Sequence, residues 1–175
     1  GQYNPNENGW VLGPCFDFTT LDSGSYVGVK VWWNSEFSWD GGNIQWSEDD
    51  GASWNNIGVF GSPNNWYTDN TINGNPGGNS EGWTGRTATS NGSNGWVQAK
   101  HALPNSLVGI PNVNIRFTFG SDGAVHDDGI AFDDFSIGLP DSLDSAMFMD
   151  FAGCSDLDLD YLKRGFYSWA IQDTA

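Results

Sequence analysis

Five carboxylates stand at positions where a hard cation would find oxygen. Glu36 and Asp40 fall in the connection after an alternating apolar stretch, and Asp127 and Asp128 precede another. Asp133 interrupts the series Ala131, Phe135 and Ile137 on a face that is otherwise apolar. An unpaired carboxylate turned inward costs enough to demand a cation or several donors, so Asp133 is the first choice of ligand. Asp134, one residue on, points the other way, toward solvent or a loop amide. Calcium takes six to eight oxygens, which three or four carboxylates plus backbone carbonyls would supply. The competing reading makes the same acids exposed turn residues bonded to amides. No EF-hand loop can be read anywhere in the chain.

A second constellation is Ser47, Asp49, Gly51 and Trp54, spaced S-x-D-x-G-x-x-W. It fits the Asp-box pattern, in which a strand enters a tight turn and the aromatic packs beneath the next strand. Asp caps turn amides, Gly takes the positive-φ position, and Trp buries a large area. Turn chemistry accounts for each residue named, so the structural reading is preferred to a glycosidase one. Propellers that carry this box repeat it blade by blade, whereas here it occurs once. His101 and His126 are the sole histidines; HExxH and G-x-S-x-G are absent, and no serine or cysteine nucleophile is singled out. His101 reads as a packing or surface residue at a strand end, and His126 as a hydrogen-bonding group or minor metal ligand. A paired-carboxylate glycosidase is the residual enzymatic alternative, although no pair stands out.

These groups sit on about one domain's worth of chain. A chain of 175 residues can bury roughly 70% of its unfolded surface and needs no metal merely to fold. The 24 glycines announce a loop-rich protein, and 10 Trp, 11 Phe and 5 Tyr suit pleated sheets. Six basic against 22 acidic residues give a formal charge of −16, which repels nucleic acid and anionic lipid but suits calcium. No apolar run approaches the roughly 20 residues that cross a bilayer, so membrane insertion is not expected. Starting at Gly1, the chain reads as a processed or excised piece. Cys15 and Cys154 are expected to bridge in an extracellular setting, worth about 5 kcal/mol in the chain-entropy model. Two buried thiols are the alternative.

The positioning elements are short strands. Tyr26 to Trp33 alternates with Val27, Val29, Val31 and Trp33 on one face, and Val113 to Phe119 repeats the pattern with Val113, Ile115, Phe117 and Phe119 inward. Shorter strands are expected over 15–21, 43–47, 56–60, 96–101 and 130–137. They are separated by turns such as Asp40-Gly41, Asp50-Gly51 and Asp122-Gly123. The pattern predicts an all-β, two-sheet antiparallel jelly-roll sandwich over 1–138. Residues 61–95 are too polar and too broken by Gly and Pro for a core strand; they are expected to fold back over one sheet, anchored by Trp66, Tyr67 and Trp83. Residues 139–175 form an acidic extension that either packs on the sandwich or begins a following domain. Within it 155–165 predicts a short capped helix, flanked by strands over 147–151 and 166–171. Asn91-Gly92-Ser93 is a formal glycosylation sequon.

The segments VWWNSEFSWDGGNIQWSEDDGASW (31–54) and SDGAVHDDGIAFDDFSIG (121–138) carry a resemblance over residues 13–138. They are similar to MAM-like and reelin-like jelly-roll modules of secreted multidomain bacterial surface proteins and proteases. That resemblance implies a two-sheet, non-catalytic module, often with bound calcium, in which the strand of Val31 and the last strand, 130–137, are neighbours. The loops bearing Glu36, Asp40, Asp127 and Asp128 would then meet at one end. The expected function is extracellular recognition or adhesion toward a glycan or protein ligand, beside neighbouring domains of the same polypeptide. The alternatives are a carbohydrate-binding module of a polysaccharide-degrading enzyme and an accessory domain of a secreted protease. For sugar binding the aromatics to watch are Trp32, Trp39, Trp66, Tyr67 and Trp83.

Overall fold

The computed structural model describes residues 1–138 and 170–173. Its strands are β1 (Asn8–Phe16), β2 (Tyr26–Asn34), β3 (Gly41–Ser47), β4 (Asn55–Asn56), β5 (Val97–Ala102), β6 (Val113–Gly120), β7 (Gly129–Gly138) and β8 (Ala170–Asp173). They form an all-β antiparallel sandwich with sheet orders β4-β3-β6-β1-β8 and β5-β2-β7. Passage from sheet to sheet along the chain gives the expected jelly-roll arrangement. Short 3-10 turns are the helical elements among the described residues. The expected helix over 155–165, the strand over 147–151 and Cys154 lie outside them.

Alternation fixes which residues meet between the sheets. Val27, Val29, Val31 and Trp33 of β2 are buried against Val113, Ile115 and Phe117 of β6, with Ile44 of β3 and Ile137 of β7. The segment 61–95 joins this core as expected. Trp66, Tyr67 and Trp83 are at most 4% exposed and form a mutual cluster with ring centroids 4.9–5.4 Å apart. Their polar atoms are satisfied locally: the Trp66 indole donates to Ile57 O at 2.7 Å and that of Trp83 to Asn65 O at 2.9 Å. The Tyr67 hydroxyl meets both backbone atoms of Ile44. As ligand-stacking residues these three are therefore corrected, because burial has taken their faces.

Two strands depart from simple alternation. β1 begins at Asn8, well before the strand expected over 15–21, and its register with β6 shifts between Leu12 and Cys15. That irregularity holds Gly13-Pro14, where a proline can lie in a strand without breaking a ladder. β7 carries the second shift. Gly28 pairs with Ser136 but Lys30 pairs with Asp133, so one extra residue is inserted, with Asp134 at φ 48°.

Candidate functional site

β2 and β7 are neighbours, with Asn34 opposite Gly129, so the β2–β3 loop and the β6–β7 loop emerge at the same end of the sandwich. There the carboxylate oxygens of Glu36, Asp40 and Asp122 lie within 4.8 Å of one another. Asp40 is fully buried. Its Oδ1 accepts the Asp122 backbone N–H at 2.7 Å, and its Oδ2 accepts the Tyr3 hydroxyl at 2.6 Å. The β2–β3 loop is a tight turn in which Asp40 N–H donates to Glu36 O, and the Thr84 hydroxyl donates to both Glu36 O and Asp40 O. The N-terminal segment closes the cluster, since Tyr3 N–H donates to Asp127 O and Asn6 N–H to Asp122 O.

The electrostatics are unbalanced toward negative charge. Burial raises the Asp40 carboxyl above its ordinary range, with a further push from Asp122 and Asp127. Burial likewise raises Glu36, against the pull of Arg86. The Tyr3 phenol is raised by burial and by its bond to Asp40. Arg86 pairs with Asp127 at 2.6 Å, so Glu36, Asp40, Asp122 and Asp127 set four negative charges against one positive, a formal −3. The carboxylate oxygens of Glu36, Asp40 and Asp122 are close enough together to hold a metal ion between them.

The expected ligand set divides. Glu36 and Asp40 come together as anticipated. Asp127 adjoins them but is held by Arg86. Asp128 is exposed and accepts a hydrogen bond from the Asn34 amide at 2.8 Å. Asp133 is corrected outright: it is exposed on the outer face, mid-strand opposite Lys30, about 13 Å of strand from the loop end. The extra residue at Asp134 reverses the alternation, placing Ile130, Phe132, Phe135 and Ile137 toward the core and Asp133 away from it. Asp122 and Tyr3 went unanticipated. Asp122 had been legible only as half of an Asp-Gly turn, and Tyr3 precedes the first strand.

The His101 ring packs on Trp66 with centroids 5.2 Å apart and meets Ala102 O at 2.6 Å. The His126 ring lies 6.3 Å from that of Tyr3, and its Nδ1 is buried with no partner among the described residues. Trp32 is half-buried, whereas Trp39 is 46% exposed beside Phe37 at 43%. Asn91 is exposed, but Ser93 of the sequon is tied to the Trp33 backbone. Among the described residues no helix is long and apolar enough to cross a membrane. The chain matches no protein-family model and no curated protein sequence.

Proposed function

We propose that this chain is a non-catalytic extracellular recognition or adhesion module whose loop end is stabilised by calcium held by Glu36, Asp40 and Asp122. The observation that carries the reading is the convergence of three carboxylates from two loops at one end of the sandwich, where Arg86 offsets only part of the negative charge. Bound there, calcium would neutralise the cluster and tie the two loops together. The same β2–β3 loop holds Phe37 and Trp39 out to solvent, which supports presentation of an apolar contact to a ligand.

Melting with calcium and with chelator tests the ion. Calcium is expected to raise the midpoint of the native chain, and the gain should follow free calcium as RT ln(1 + [L]/Kd). Glu36→Gln and Asp40→Asn should lose most of that gain while retaining their melting transition in chelator. An unchanged midpoint together with elemental analysis that finds no metal would reject the cation. Carbohydrate binding is the second reading, favoured by exposed Trp39. A glycan array read by tryptophan fluorescence separates it from protein adhesion: specific quenching lost in Trp39→Ala supports sugar binding, and a flat response opposes it.

A further inference from the structure

The outer face of the five-stranded sheet carries a second constellation, remote in sequence from the acidic loops. Gln45 of β3, Arg116 of β6 and Leu12 of β1 are aligned across it, with Ser47 opposite Asn114 in a neighbouring row. Arg116 is only 8% exposed and forms no ion pair among the described residues. Its Nε and Nη2 donate to Gln45 Oε1 at 2.9 and 2.6 Å, and Nη2 also reaches Gly77 O at 3.4 Å. Nη1 has no hydrogen-bond partner among the described residues. The guanidinium lies 4.0 Å from the Trp54 ring and 5.3 Å from that of Trp10. Burial lowers its pKa to about 10, which leaves it charged at neutral pH.

A buried cation is ordinarily paired, and buried polar atoms are ordinarily bonded. Here the floor departs from both rules, because Asn56 Nδ2 and Asn114 Oδ1 are also buried without a partner. Asn56 accepts from Gln45 Nε2 at 3.1 Å, so the unsatisfied amide belongs to the same network as the guanidinium. The Gln45 oxygen occupies one edge of the guanidinium fork and leaves Nη1 for an incoming acceptor. We propose that Arg116 anchors a binding site for the carboxylate of an acidic saccharide on this face. The carboxylate bonds to Nη1 beside the indole edges of Trp10 and Trp54, and waters bridge from the ligand to the orphaned amides. The net charge of −16 disfavours a dense polyanion, so the ligand carries isolated acidic sugars separated by neutral ones.

The proposal rests on the recognition reading, yet the two fail separately. The probe is an oligosaccharide alternating glucuronate with a neutral sugar, titrated calorimetrically and by tryptophan fluorescence beside its carboxyl-reduced counterpart. The acidic probe is expected to bind at least tenfold more tightly than the reduced one and to weaken with added salt. Arg116→Gln should lose that tenfold preference; Arg116→Lys, which keeps the charge without the planar fork, should lose part of it and guards against misfolding of the first variant. Asp22→Asn, at an exposed acid outside both sites, should bind as the native chain does. Equal affinity for both oligosaccharides overturns the role of Arg116 while leaving a glycan-recognition module standing. Failure of the native chain to bind the acidic probe at millimolar concentration overturns the site, and calcium-dependent melting then still tests the earlier reading.

Discussion

Asp49 shows how a single carboxylate can organise a turn. Its Oδ1 accepts the Ser53 N–H at 2.9 Å and the Ser47 hydroxyl at 2.7 Å, and its Oδ2 accepts the Ser53 hydroxyl at 2.6 Å. Gly51, at φ 84°, donates its N–H to Ser47 Oγ and lets the chain pass beneath the Trp54 ring, which an added Cβ would approach to 3.2 Å. Donors to the charged form hold the Asp49 carboxyl down at about 2, led by Ser53. A depressed folded pKa contributes stability that is present above the unfolded value near 3.8 and lost as pH falls through about 2. Melting of the native chain and of Asp49→Asn across pH 2 to 5 should therefore show a falling difference toward the acid end. A constant gap across that range would refute the assignment. The residues of this turn were legible from spacing alone, because each bond spans four positions or fewer.

At the scale of the element, the decisive feature is the β7 bulge. Asp134 occupies the left-handed region at φ 48° and forms an ion pair with Lys30 at 2.5 Å, both side chains being exposed. So exposed a pair contributes little, and glycine would relieve the backbone in this conformation. Asp134→Gly is thus expected to lie within about 1 kcal/mol of the native chain. Asp134→Val, which combines branching with positive φ, should cost roughly 1–2 kcal/mol or more. Urea titration of both variants checks this, and indifference to valine would mean that the bulge is not held as described. Nothing in AFDDF announces where an extra residue is inserted; pairing with β2 decides it, and with it the orientation of Asp133. Pro14 is a similar case, since a proline between apolar residues reads as a strand boundary until β6 supplies a bulge for it.

For the whole molecule, 22 acids stand against six bases along 175 residues. Self-repulsion of that charge destabilises the compact state and is weakened as the Debye length falls from about 30 Å at 0.01 M salt to about 10 Å at 0.1 M. In chelator, sodium chloride over that interval should raise the melting midpoint by a few degrees, and calcium should add to it at far lower concentration. A midpoint indifferent to salt would show that the charge is already compensated. The loop 61–95 offsets some of this cost by placing Trp66, Tyr67 and Trp83 in the core, where the fold gains apolar burial from a segment that looks polar throughout.

By itself the sequence determined what is local or periodic: the all-β class, the inward faces of β2 and β6, the turn from Ser47 to Trp54, and the anchoring of the long loop by its aromatics. Alternation has a period of two and turns close within a few residues, so both leave a direct imprint on the order of residue types. Only the tertiary structure decided the acidic cluster. Asp40 meets Asp122 across 82 positions and Tyr3 across 37, and Asp133 was turned outward by one inserted residue. Contacts between distant segments depend on strand register, and register is set by pairing partners that no single stretch of chain contains.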